Sequence, residues 1–256
     1  MYKAPIVKKA FQILTLIARD GQGMTLSALA RELDISKSTV HGIASALEET
    51  GATIRNPLTK RYTPGLTLFE LGRAAFARID LPALARPFLD KLMVETRESV
   101  FLGIRNGMRV TILDIVESNQ DLKITAPVGT AVLLMAGAIG KVFLGELDES
   151  EAAALIDSRR LPKFTEKSIV DPQRYLAEIR KARQQGYALD DEEYISGVRA
   201  VAAPLQADAH LQAAIWVVGF KPGLTENKIS RVIAATRATA AAISRRIAEA
   251  GRTPNE

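Results

Sequence analysis

The chain has 256 residues, 47% apolar and 25% charged, with a net charge of +5 and no cysteine. That length predicts two domains or one large one, and the composition excludes general disorder. The lack of cysteine excludes disulfides, thiolate zinc sites and cysteine nucleophiles, and it fits a reducing, cytoplasmic setting.

The charge is unevenly placed. Residues 1–79 hold 11 Lys/Arg against 6 Asp/Glu, whereas residues 80–256 hold 23 of each. A basic segment of this kind attracts polyanions by replacing the counterions condensed on phosphates. The N-terminal stretch is not read as a secretion signal: Gln12 and Thr15 interrupt Ile13, Leu14, Leu16 and Ile17, and no small-residue cleavage site follows. The longest uncharged run, 124–140, is short and broken by Pro127, Gly129 and Gly137, so no membrane partner is expected.

In chain order, Lys8–Arg19 predicts a helix with Phe11, Leu14 and Ala18 on one face, ended by Gly21 and Gly23. Thr25 opens a short helix with Leu26, Leu29, Ala30 and Leu33 at helical spacing. Asp34 and Ile35 turn the chain, and Ser36 caps a third helix that buries Val40, Ile43, Ala44 and Leu47. Its outward residues are Ser36, Lys37, Ser38, Thr39, His41 and Gly42, mostly short polar groups near a helix N-terminus, suited to base edges and phosphates in a major groove. Two short strands, 52–55 and 61–63, then form a wing whose Arg55, Lys60 and Arg61 are placed for the phosphate backbone. Helical spacing at Leu66, Leu68, Leu71 and Ala75 predicts a linker helix to about Ile79.

Beyond it, Leu84, Phe88, Leu89 and Leu92 mark a helix to about Thr96. Val100–Arg105 and Val110–Val116 predict a hairpin turning at Asn106-Gly107, and Leu122–Ala126 a third strand. Further helices are expected over 136–144, 149–157, 172–185 and 225–248, the last with Ile229, Val232, Ile233, Ile243 and Ile247 on its apolar face. Strands are expected over 201–205 and 213–220. The order is α+β, an antiparallel sheet with helices packed on it. The expected boundaries are a winged helix-turn-helix over 1–65, a linker helix over 66–80 and a sensing domain over 81–250.

Catalytic and cofactor motifs are sparse. Gly137–Lys141 lacks the first glycine and the final Ser or Thr of a phosphate loop, since Met135 and Val142 stand there. The two histidines, His41 and His210, are far apart in sequence and make neither a metal pair nor a triad. The run Asp190-Asp191-Glu192-Glu193 offers the one alternative: an enzyme acting on a small molecule through an acidic cluster, with a basic appendage. The favoured reading has no catalytic residue, metal or cofactor.

Several stretches carry a family resemblance, which runs from about residue 6 to about residue 248. LSALARELDISKSTVHGIASALEETG with RYTPGLTLFELG, then ETRESVFLGIRNG, VGTAVLLMAGAIGKVFLG and IRKARQQGYALDDEEYISGVRAVAAPL, resemble the IclR family of bacterial transcriptional regulators. The resemblance implies a winged helix-turn-helix, a GAF-like effector domain, assembly as a homodimer or homotetramer, and double-stranded promoter DNA and a small-molecule effector as partners. It places effector contacts at Met135, Ala138, Ile139, Gly140, Asp190, Ala200, Trp216 and Val218. Two departures from the family pattern stand out. Gly42 follows His41 where Arg is common, and Trp216 and Val218 stand where sensors of small keto-acids carry hydroxyl residues. The second departure predicts an effector with an apolar or aromatic body.

Overall fold

The computed structural model describes residues 4–76, 80–158, 160–206 and 212–250; His210 lies outside them. The chain divides into two compact units, residues 1–78 and 79–256.

In the first unit, helices α1 (Pro5–Asp20), α2 (Leu26–Leu33) and α3 (Lys37–Glu49) are followed by strands β1 (Thr53–Arg55) and β2 (Tyr62–Pro64), and by helix α4 (Leu66–Phe76). Their core is Ile13, Ile17, Leu29, Ala30, Val40, Ile43, Ala44 and Tyr62. The face expected for α1 is corrected: Ile13 and Ile17 are buried, and Phe11 is 66% exposed. Lys8, Gln12, Thr15 and Arg19 share one polar side of this helix, but the apolar arc opposite is broad, with Ile13 and Ile17 towards one edge and Phe11 at the other, so spacing alone does not choose between them. Packing against α3 and β2 selects the buried face. Strands β1 and β2 pair antiparallel, and Met24 adds a single bridge to Tyr62, which ties the wing back to the start of α2.

The second unit is one six-stranded antiparallel sheet in the order β5-β4-β3-β8-β7-β6. Its strands are β3 (Ser99–Asn106), β4 (Arg109–Val116), β5 (Ala131–Leu133), β6 (Ala188–Asp191), β7 (Val198–Leu205) and β8 (Ala213–Phe220). Helices α6 (Gly137–Gly145), α7 (Glu149–Asp157) and α8 (Pro172–Gln185) cover one face; α5 (Leu81–Thr96) and α9 (Glu226–Ala250) cover the other. Strand β8 shows the division: Ala214, Trp216 and Val218 enter the first core, and Ala213, Ile215 and Val217 the second. Burial on both faces makes this strand a continuous apolar run rather than an alternating one.

Three local expectations are corrected. Leu122–Ala126 is irregular, with Leu122 73% exposed. A turn in which Thr130 N donates to Pro127 O redirects the chain, so that 131–133 pairs with 109–111 instead. The first hairpin turns at Gly107-Met108, one residue later than expected, because Asn106 still pairs with Arg109. Strand β6 was not expected: four residues ending in two aspartates give little apolar signal, yet Ala188 and Asp190 are the buried alternation.

Candidate functional site

The first candidate surface is the outer face of α3 with the wing. Thr25 caps α2 by accepting from Ala28 N, and Asp34 closes that helix in the left-handed region at φ 51°, a position that Asp and Asn tolerate through local hydrogen bonding. Ser36 then caps α3 by accepting from Thr39 N at 3.2 Å. Its hydroxyl also lies 2.9 Å from that of Ser38 and 2.8 Å from that of Thr39. Lys37, Ser38 and His41 are exposed and Thr39 is half-buried; His41 Nδ1 stands 3.5 Å from Ser45 Oγ. An ammonium, an imidazole and two hydroxyls thus crowd the first turns of one exposed helix.

In the wing, Asn56 Oδ1 accepts from Leu58 N and Thr59 N and shapes the tip, where Leu58 is 89% exposed. Of the three basic residues, Arg55 lies over the Tyr62 ring at 5.7 Å from its centroid. Arg61 donates through Nη1 to Gly23 O at 2.5 Å. Both guanidiniums therefore brace the wing as well as charging it. Lys60 is exposed.

The second candidate site lies between the sheet and α6. Cross-strand pairing sets Asp190, Ala200 and Val218 in one row, and Ala188, Ala202, Trp216 and Phe101 in the next row on the same face. Met135, Ala138 and Ile139 are buried in the same cluster as Ala200, Trp216 and Val218. Trp216 is turned into the core: it is 4% exposed, stacks on Phe101 at 5.5 Å between centroids, and covers Gly103. Asp190 joins the group through Gly137. A methyl at Gly137 would stand 2.0 Å from Asp190 Oδ2, and the φ of +59° there independently favours glycine. Gly140 is as tightly enclosed, by Leu134 O and the Tyr175 hydroxyl. Six of the eight expected effector residues thus lie in one buried cluster, and Asp190 and Gly140 border it through Gly137 and Tyr175; the N-cap of α6, Ala136, supplies no side-chain hydrogen bond.

Burial raises the Asp190 carboxyl to about pH 6; the neighbouring Glu193 adds to this, while the Glu193 amide and Lys141 oppose it. Tyr175, on α8, is buried with its hydroxyl unpartnered; burial raises its pKa, reinforced by Glu193 and Asp190. Tyr175, Gly137 and Phe101 were missed by sequence reasoning. The signal for Tyr175 was its spacing with Ile179 and Ala182 on the buried face of α8; nothing in the sequence marks its hydroxyl.

The acidic run resolves into ion pairs. Asp191 accepts from Arg199 at 2.6 Å, which lowers its pKa. Glu192 accepts from Lys167, Lys221 and Gly197 N, and Lys167 foremost holds it down to about 2. Glu193 pairs at 2.5 Å with Lys141, which is 1% exposed and also donates to Leu189 O. Thr165 and Ser168 tie the preceding loop to the carbonyls of Glu192 and Glu193. Three of the four carboxylates are thus committed to structural cations, and among the described residues no group of three or more His, Asp or Glu is arranged to hold a metal.

Two family models match the chain: the IclR helix-turn-helix domain over residues 6–57, and the bacterial transcriptional regulator IclR C-terminal domain over residues 73–245. The chain belongs to the IclR family. Among curated IclR-type relatives, the HTH-type transcriptional regulator BhcR of Paracoccus denitrificans is 36% identical over 197 residues, 77% of this chain and 70% of BhcR. The HTH-type transcriptional repressor AllR of Salmonella typhi is 29% identical over 226 residues, 88% of this chain and 83% of AllR. The crystal structure of an IclR transcriptional regulator from Alicyclobacillus acidocaldarius superposes with a TM-score of 0.78 at 25% identity, covering 96% of this chain and all of that one. The IclR architecture of an N-terminal helix-turn-helix and a C-terminal effector domain with an antiparallel sheet is therefore that of this chain. Among the described residues, no helix is long and apolar enough to cross a membrane.

Proposed function

We propose that this protein is a ligand-responsive transcriptional regulator that binds a pseudo-palindromic promoter site as a dimer or tetramer, with its DNA affinity set by a small metabolite. The observation that carries the reading is the capped, outward-facing α3, with Lys37, Ser38 and His41 exposed, in a unit that holds the entire net positive charge. In this reading Lys37, Ser38, Thr39 and His41 meet base edges, Ser36 sets the helix start, and Arg55, Lys60 and Arg61 hold phosphates. By the same reading the DNA-binding domain spans 1–65, the linker 66–80 and the effector domain 81–250; of the expected linker helix, Leu66–Phe76 is helical and 77–79 lie outside the described residues. One recognition helix per chain calls for two chains on a two-fold symmetric site. Exposed Ile6, Val7 and Phe11 on α1, with Leu66, Phe69 and Leu71 on α4, supply apolar surface for association.

The effector sits where Met135, Ala138, Ile139 and Gly140 meet Asp190, Ala200, Trp216 and Val218. The amides at the start of α6 hold an acidic group, Asp190 accepts from a hydroxyl or amine, and the indole and aliphatic wall favours an apolar or aromatic body. The test is a gel shift with DNA from the gene's own upstream region, with and without aromatic and two- to three-carbon acids. A retarded band whose midpoint moves with an aromatic acid is expected. Absence of any retardation sinks the regulator reading, and a response to pyruvate-like acids alone sinks the aromatic one.

A further inference from the structure

Gly42 is in the middle of α3, where glycine costs about 1 kcal/mol relative to alanine. A chain has two internal reasons to keep a glycine inside a helix: a backbone conformation closed to other residues, or a neighbour that leaves no room for a side chain. Neither applies here. Gly42 is absent from the positive-φ positions, and a methyl added to it would meet nothing within 4 Å. Gly137 and Gly140 show the contrast, since a methyl at either would stand 2.0 or 2.1 Å from its nearest neighbour. Gly72, the other helical glycine with open space around it, belongs to α4 and not to the surface made by α3.

The open space at Gly42 faces outward, beside His41 and one turn from Ser38 and Ser45. We propose that Gly42 is a point of closest approach between α3 and double-stranded DNA, where the missing side chain admits base edges against the helix backbone and so helps to set which sequence is bound. The inference rests on the DNA-binding reading above. The surroundings favour DNA over a second copy of the chain. Lys37, Ser38 and His41 form a polar, cationic neighbourhood, whereas the exposed large apolar residues of this unit are carried by α1, α4 and the wing (Ile54 and Leu58), and none of them by α3. Glycine serves the same purpose wherever a backbone must come close to a ligand.

The experiment uses the full chain and an operator selected from random-sequence DNA with the wild-type protein. Gly42→Ala should raise the unfolding temperature of the N-terminal unit by about 4 °C, through helix propensity alone. The same variant should bind the selected operator about tenfold more weakly, the size of one spoiled base contact, while its affinity for random DNA stays within about twofold. Gly42→Arg should tighten random-DNA binding and steepen its salt dependence by about one unit, while losing operator preference. Selection repeated with the alanine variant should return a sequence altered at the base pairs facing the middle of α3. An alanine variant that is stabilised yet binds the operator like wild type overturns the proposal, and so does a destabilised one, because the helical premise then fails. Failure of the regulator reading shows separately, as a wild-type selection that enriches no sequence.

Discussion

Asp190 couples burial to protonation. In the unfolded chain its carboxyl titrates near the ordinary value of about 3.9, whereas in the fold burial raises it to about 6. Between those values the folded protein holds a proton that the unfolded chain has released, so raising the pH favours unfolding. The stability tied to Asp190 is fullest below pH 4, declines as pH rises through 6, and is flat above. Two units correspond to roughly 3 kcal/mol, and a group only 5% exposed is little screened by solvent. Asp190→Asn keeps an oxygen to accept from the Glu193 amide and removes the titration. The variant should melt above wild type at pH 7, with the gap closing as pH falls to 4.5. Lys141, Glu193 and Tyr175 face the same carboxyl position in both proteins, so the difference between the two reads the Asp190 charge together with its interactions with these neighbours. A gap that widens on acidification would refute the assigned direction. In the proposed effector site the same carboxyl would set the chemical sign: a ligand that donates to Asp190 favours the ionised form and should bind more tightly as pH rises through 6.

Helix α3 depends on its cap in two ways. The Ser36 hydroxyl accepts from Thr39 N and organises the hydroxyls of Ser38 and Thr39. Ser36→Ala should therefore lower the stability of the N-terminal unit by about 1 kcal/mol, read as an earlier first transition on denaturant titration. It should also weaken operator binding by more than random-DNA binding, because side chains that present donors to bases lose their fixed arrangement. Equal losses on both DNAs would mean that the cap matters only to folding. This element was fully legible in sequence, since a capping serine, a turn of Asp34 and Ile35, and Val40, Ile43, Ala44 and Leu47 at helical spacing all agree. The places where legibility failed share a cause. In α1 the apolar arc is broad enough to hold both Ile13 with Ile17 and Phe11, and only contact with α3 and β2 picks the first two over the third. Strand β6 exists because β7 pairs with it, and its aspartates carry no strand propensity of their own. Leu122–Ala126 has the composition of a strand but no partner. At the proposed effector site, the meeting of Gly137 with Asp190 and the enclosure of Tyr175 are tertiary facts, set by the crossing of α6 over the sheet, that local sequence does not encode.

At the scale of the whole molecule, the two units must exchange free energy if the protein is a ligand-responsive regulator. An effector alters DNA affinity only to the extent that it binds the DNA-bound and free forms with different affinity. That coupling is reciprocal: if saturating effector weakens operator binding by some factor, saturating operator weakens effector binding by the same factor. Couplings of this kind are typically 1–3 kcal/mol, or roughly 5- to 150-fold. The chain carries its own reporter, because Trp216 is the only tryptophan and lies in the same sheet row as Phe101, beside the row of Asp190, Ala200 and Val218. Its emission should change when an aromatic acid enters the site, and a titration gives the effector affinity with and without operator DNA. A gel shift or anisotropy titration gives the operator affinity with and without effector. The two ratios are expected to agree within error. A large change in operator affinity with no matching change in the Trp216 titration would place the effector at a second site, remote from Trp216. A Trp216 response that operator DNA leaves untouched, with operator affinity equally unmoved, would show a binding site without regulatory coupling.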